Sequence, residues 1–243
     1  MYTTFVRTAN VNRFLSAVSA IDQRGASEAS WLLISGDAGL GKSKTAEWWA
    51  THNDAIEIRL KAAATPHWFL TDLVGVLGEV APAHSCEKLF YQAMDHLSKS
   101  PQPIVVDEVE NVLKGDRLET LEMVRDISDM TEAPVILVGR EYVWGRLSRH
   151  KHFRTRISAR ADFSPLSLED VTKCFGELSE VPVDEEVIAD VHKASEGHIR
   201  EVVNAIANAE RIGKRAPGET VTRKSVGNTS LVRDWQRTKA GAV

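Results

Sequence analysis

The octet Gly36-Asp37-Ala38-Gly39-Leu40-Gly41-Lys42-Ser43 constrains the fold of this chain more than any other stretch. It fits the phosphate-binding pattern G-x-x-x-x-G-K-[ST], which works only as a turn between a strand and a helix. Both neighbours are present. The apolar run Trp31-Leu32-Leu33-Ile34-Ser35 reads as a buried strand, and Lys44-Thr45-Ala46-Glu47-Trp48-Trp49-Ala50 reads as a helix. Gly36, Gly39 and Gly41 let the backbone aim its N–H groups inward at a triphosphate, and the helix N-terminus adds the positive end of its dipole. Lys42 is placed to reach the β- and γ-phosphates and Ser43 to bind Mg²⁺, so Gly36 through Lys44 form the candidate nucleotide-binding segment.

Downstream, Ile104-Val105-Val106 runs straight into Asp107 and Glu108. A short β-branched run of this kind is a strand buried on both faces. At its carboxyl end, Asp107 can reach a metal near Ser43, while Glu108 turns toward the γ-phosphate as the base for an attacking water. Further strands are expected at 55–60 and 135–138. Helices are expected over 8–24, with Asn10 as a candidate N-cap, over 67–77 behind Pro66, over 87–98, and around the stripe Leu118, Leu121, Val124 and Ile127 behind Asp116. Strands alternating with helices imply β-α-β crossovers and a parallel sheet flanked by helices, an α/β fold. The strand pattern stops near Phe163. The expected organisation is an α/β nucleotide-binding domain over 1–162, a small helical domain over 163–211, and a loosely structured basic tail over 212–243.

The 243 residues suffice for one principal core with a small appendage, and 43% hydrophobic with 26% charged residues is ordinary globular composition. No apolar stretch is long enough for a spanning helix and the N-terminus does not read as a signal peptide, so the expectation is a cytoplasmic protein with no membrane partner. Cys86 and Cys174 lack a metal-ligand spacing and read as reduced bystanders. The net charge of −4 argues mildly against a nucleic-acid partner, but the tail from Ile212 carries seven basic residues against two acidic ones. That tail reads equally as an electrostatic arm or as a solvated end.

The order GDAGLGKS, VVDEVE, PVILVGRE, RHKHFRTRI, FSPLSLEDV and EGHIRE resembles an AAA+ ATPase running from P-loop to helical lid. Within that superfamily, KAAATPHWFLTDLVGVLG and LETLEMVRDISDMTEAPVILVGRE resemble the transposition ATPases of Mu-like phages (MuB) and the related TnsC and TniB proteins. The likeness covers most of residues 8 to 211. It implies ATP and Mg²⁺ as cofactors, ATP hydrolysis, self-assembly into a ring or filament, sequence-nonspecific binding of double-stranded DNA, and delivery of that DNA to a transposase, in a phage or mobile element of a bacterial host.

The same resemblance implies further roles. Asn10 and Val11 lie where such ATPases contact adenine, with the helix-cap reading of Asn10 standing beside it. Arg156 matches the arginine finger that reaches the neighbouring subunit's nucleotide, with Arg154 and Arg149 as fallbacks. Arg200 matches the second sensor. The first sensor departs from the family, because Gly139-Arg140 stands where a neutral polar residue is usual. Lys61, and Lys114 with Arg117, lie in the loops that would face DNA and contact its phosphates. Two competing readings are a helicase loader or replication initiator, and a secretion or signalling ATPase that never meets nucleic acid.

Overall fold

The structure is a computed structural model that describes residues 1–23, 25, 29–79, 85–113, 118–227 and 229–232. It contains β1 (Trp31–Ser35), β2 (Ile56–Arg59), β3 (Ile104–Asp107), β4 (Val135–Val138) and β5 (Ile157–Asp162). The helices are α1 (Ala9–Asp22), α2 (Lys42–His52), α3 (Pro66–Val76), α4 (Cys86–Lys99), α5 (Glu119–Thr131), α6 (Val143–Leu147), α7 (Lys151–Arg154), α8 (Leu168–Leu178), α9 (Glu185–Ser195), α10 (Ile199–Gly213) and α11 (Arg223–Val226). By Cα proximity the chain divides into two compact units. One comprises Arg13–Asp37 and Lys42–Phe163; the other comprises Met1–Asn12, Ala38–Gly41 and the chain from Ser164 onward.

The first unit is a parallel five-stranded sheet in the order β2-β3-β4-β1-β5, flanked by helices. It is the α/β architecture expected from the alternating pattern. β1, β3 and β4 are buried at every position, which is why their sequences read as continuous apolar runs. Trp31, Leu33, Phe69, Leu73, Leu97, Val106, Leu121 and Leu137 belong to one core. The Thr65 side chain caps α3 by accepting from the Trp68 N–H, and Pro66 takes the first helical turn as expected. Asp116, expected to cap α5, lies outside the described residues.

β5 was not anticipated. Its sequence, Ile-Ser-Ala-Arg-Ala-Asp, pairs only with β1 at the sheet edge and buries just Ile157 and Ala161. Edge strands keep polar, exposed positions, so their apolar signal is weak.

The second unit is helical, with α8, α9 and α10 packing Val171, Phe175, Val187, Val191, Val202 and Ile206 together. Here the described part of the expected loose tail, residues 212–227 and 229–232, needs correction. Val221 bridges Val183, a Thr222–Ser225 capping box starts α11, and Val221, Leu231 and Val232 are buried in the helical core. Lys214 pairs with Glu180 and Arg223 with Asp190, so part of the tail's positive charge is neutralised locally. Glycines and charges dominate this stretch in sequence, while three aliphatic side chains decide its packing. Among the described residues no helix is long and apolar enough to cross a membrane.

Replacing Leu231 with Ala should therefore destabilise the helical unit by about 2–4 kcal/mol, the ordinary cost of emptying a buried leucine site. Urea unfolding followed by far-UV circular dichroism measures this; an unchanged midpoint would show that the segment does not pack.

Candidate active site

Parallel strands put their carboxyl ends on one edge of the sheet, where α/β folds bind ligands. In register, Ile34 of β1 lies beside Val138 of β4, Val106 of β3 beside Leu137 of β4, and Arg59 of β2 beside Asp107 of β3. Four neighbouring strands thus deliver Gly36, Arg140, Asp107 with Glu108, and Arg59 to the same edge.

The loop after β1 begins at Gly36, with φ 148°. A Cβ there would lie 2.6 Å from the Phe163 carbonyl oxygen, so only glycine fits beneath the end of β5. α2 starts at Lys42, and its Nζ donates to the carbonyls of Gly36 (2.9 Å) and Asp37 (2.7 Å). Burial, followed by the nearby Arg140 charge, pulls the Lys42 pKa down. Asp37 is exposed, Leu40 is buried, and Ala38, Gly39 and Gly41 are half-buried. Lys44 turns its ammonium to Glu47 on its own helix, leaving its main chain as what it offers the loop.

Ser43 Oγ donates to Asp107 Oδ1 at 3.2 Å, and the Glu108 N–H donates to the same oxygen at 2.9 Å. Asp107 Oδ2 is buried with no hydrogen-bond partner; Arg59 Nε stands 3.8 Å away, an ion-pair distance but too long for a hydrogen bond. Burial raises the Asp107 pKa, the expected response of a carboxylate short of compensating charge. An orphaned carboxylate oxygen beside a serine hydroxyl fits Mg²⁺, which takes one or two protein oxygens and leaves its remaining positions to phosphates and water. Among the described residues no cluster of three or more His, Cys, Asp or Glu is placed to hold a metal.

Glu108 leaves the strand in a left-handed conformation (φ 59°, ψ 42°) that opens the 3₁₀ turn Val109–Val112. Its Oε1 accepts from Arg59 Nη2 at 2.7 Å, and that bond holds the Glu108 pKa below the usual carboxylate range. Two residues on, burial raises the pKa of Glu110. Glu110 in turn accepts from the Arg140 main-chain N–H (3.3 Å) and Nε (3.2 Å), while Arg140 Nη1 lies 3.8 Å from Asp37 Oδ1. Arg59 and Glu110 escaped the sequence reading. The available signals were the arginine closing β2 and an acid two residues beyond Glu108.

The remaining expected residues are spread more widely. Asn10 lies within the first turn of α1, where Nδ2 donates to the Ser164 carbonyl (2.8 Å) and Oδ1 accepts from the Ser164 N–H (3.1 Å). Val11 is buried beside it in sequence. Arg200 sits in the first turn of α10; its N–H donates to the Gly39 carbonyl at 3.3 Å, and its side chain is exposed. Arg156 is committed within its own subunit. Its Nε donates to Asp129 Oδ1 at 2.8 Å, its Nη2 also pairs with Asp129, and its Nη1 donates to the His152 carbonyl at 2.6 Å. Arg149 and Arg154 are exposed and make no side-chain ion pair among the described residues. Lys61 follows β2, bonded to Asp72 (3.0 Å) and resting 4.6 Å over the Trp68 ring. Lys114 and Arg117 lie outside the described residues. Both cysteines are free, and burial pushes the Cys174 thiol up to about 12, which leaves it inert.

A family model described as "AAA domain" matches residues 23–147. A search of curated proteins by sequence finds no match. Among solved structures, the chain is similar to the ORC1 protein of Aeropyrum pernix in complex with DNA, at 19% identity and TM-score 0.61, over 90% of this chain and 63% of that one. It is similar to Cdc6p of Pyrobaculum aerophilum at 15% identity and TM-score 0.65, over 93% and 68% of the two chains. It is also similar to the RuvB Holliday junction branch migration motor of Thermotoga maritima at 17% identity and TM-score 0.59, over 91% and 68%. The chain therefore spans about two thirds of the length of these structures, and at such identities the likeness establishes the fold.

Replacing Arg156 with Ala should lower stability by about 1–2 kcal/mol, between the values for exposed and buried ion pairs, because Asp129 loses its partner. Arg154→Ala should stay within about 0.5 kcal/mol of the parent. Denaturant midpoints of the two variants decide this, and equal midpoints would mean that the Arg156–Asp129 pair does not contribute.

Proposed function

Since the chain belongs to the AAA-domain family, we propose that it is a magnesium-dependent ATPase that assembles on double-stranded DNA and couples hydrolysis to its release. The observation that carries the ATPase reading is the Asp107 carboxylate at the end of the phosphate-binding loop: one oxygen accepts from Ser43, and the other, Oδ2, is buried without a hydrogen-bond partner. Lys42 would exchange its two loop carbonyls for the β- and γ-phosphates, and Ser43 with Asp107 would hold Mg²⁺. When bound, the metal neutralises charge between the phosphates. Glu108, kept ionised by Arg59, orients a water and takes its proton as oxygen bonds to the terminal phosphorus. The bond to the bridging oxygen breaks and ADP leaves with its electrons. Arg140 offers a cation in cis for the charge developing on the transferred phosphoryl. A second cation arrives in trans from the arginine-rich segment 149–156. Arg154, exposed and unpaired among the described residues, suits that role better than Arg156 as it stands. Arg200 is carried as the second sensor by its match to the lid motif.

The DNA role rests on the resemblance to transposition ATPases, and the similar structures include proteins described as DNA-bound or as a branch migration motor. Lys61, with Lys114 and Arg117, would contact phosphates, giving weakly selective, salt-sensitive binding. On this reading a transposase is the partner that receives the DNA. Fold likeness to ORC1 and Cdc6p keeps a replication-initiator or helicase-loader reading beside it, and binding to a transposase or to a replicative helicase separates the two.

Lys42→Ala should abolish ATP binding by calorimetry. Glu108→Gln should retain binding and lose at least about a hundredfold in turnover, the usual range for removing a positioned base. Retained turnover in Glu108→Gln would overturn its assignment as the base. Filter retention of duplex DNA should require ATP and fall steeply between low and moderate salt. No retention even at low salt would end the DNA reading while leaving the ATPase standing.

A further inference from the structure

Glu110 has no role in the chemistry set out above, yet its carboxyl group is closely held. It is 8% exposed, and a buried carboxyl is costly unless its lone pairs are filled. Arg140 fills them twice, with its main-chain N–H and with Nε, so both the backbone and the side chain of one residue are anchored to one carboxyl group. The approach is close enough to dictate the preceding residue. A Cβ on Gly139 would lie 3.1 Å from Glu110 Oε2 and 2.7 Å from Val143 Cγ2, so the chain leaving β4 can bring Arg140 this near only with glycine at 139. With Nε held, the two Nη groups are the free end of the guanidinium, and one of them already lies 3.8 Å from Asp37 in the phosphate-binding loop. The Arg140 charge is also felt at Lys42, the residue aimed at the β- and γ-phosphates.

We propose that Glu110 is a positioning residue: by clamping Nε and the main chain of Arg140, it presents the Nη groups to the terminal phosphate of a bound nucleotide, so that this chain distinguishes triphosphate from diphosphate through a Glu110–Arg140 pair. The inference rests on the nucleotide-binding reading. It explains why a glycine–arginine sequence works where a short neutral side chain would otherwise serve. A long flexible cation at the end of a strand is selective only if its direction is fixed, and a fork held at one nitrogen loses most of its rotamer freedom. Arg140 touches the phosphate, and Glu110 acts through Arg140.

The test compares affinities for a slowly hydrolysed ATP analogue and for ADP by calorimetry, with Mg²⁺, in the parent, Glu110→Gln, Arg140→Ala, Arg140→Lys and Glu110→Gln/Arg140→Ala. Arg140→Ala should lose about tenfold or more of the preference for the triphosphate, as expected for a charge-assisted hydrogen bond to phosphate. Glu110→Gln, nearly isosteric, should lose about threefold to tenfold of that preference with ADP affinity unchanged, a split that a general loss of structure would not produce. Adding Glu110→Gln to Arg140→Ala should have no further effect. Arg140→Lys, which keeps the charge but lacks the fork, should behave like Arg140→Ala. Glu110→Gln leaving the preference intact, or lowering it equally in the Arg140→Ala background, would overturn the inference while the nucleotide site stands. A parent protein that binds neither nucleotide would bring down both.

Discussion

The candidate site depends on one constraint, the parallel pairing of β1, β3 and β4 with their carboxyl ends level. Ser43 meets Asp107 at 3.2 Å although 64 positions separate them in the chain, because β4 lies between their two strands in fixed register. A one-residue slip in a strand turns every side chain to the opposite face. Here it would carry Asp107 away from Ser43 and Arg59 away from Glu108. The burial of Leu32, Leu33, Val105, Val106, Ile136 and Leu137 on both sheet faces makes such a slip costly. Core packing is thus what holds the polar residues to within hydrogen-bonding distance.

On that edge Arg59 bonds Glu108, and two residues on Glu110 bonds Arg140, whose Nη1 lies 3.8 Å from Asp37 Oδ1. The carboxyl groups have different fates because their surroundings differ. Glu108 is partly exposed and bonded to the Arg59 guanidinium, which lowers its pKa; Glu110 is more buried, and burial raises its pKa. Asp107 keeps one buried oxygen, Oδ2, without a hydrogen-bond partner, with Arg59 Nε 3.8 Å away.

Much of this was legible in the sequence, for identifiable reasons. The phosphate-binding loop announces itself because its glycines and Lys42 are required locally, and β1, β3 and β4 announce themselves because central parallel strands are apolar throughout. β5 escaped because an edge strand buries only alternate residues, and the packing of Val221, Leu231 and Val232 escaped because it depends on partners far along the chain. Arg59 and Glu110 were invisible for a related reason. Arg59 matters only once β2 is known to lie beside β3, and Glu110 only once the left-handed turn at Glu108 brings the next residues around toward β4. Chemistry carried by contiguous residues can be read from sequence; chemistry carried by strand order has to be seen.

The arginines show how far that distinction reaches. Arg149, Arg154 and Arg156 are interchangeable as letters in a basic segment, and motif position favours Arg156. In the folded chain Arg156 spans Asp129 and the His152 carbonyl, contacts that tie the approach to β5 onto α5 and so serve the subunit itself. A residue that must reach a neighbour's nucleotide has to be free to leave its own surface, and breaking a bidentate ion pair opposes that. Arg154, on the exposed side of α7, has no such bond to break among the described residues. If assembly draws a guanidinium across an interface, Arg154 can move at little cost, whereas recruiting Arg156 would require Asp129 to find another cation.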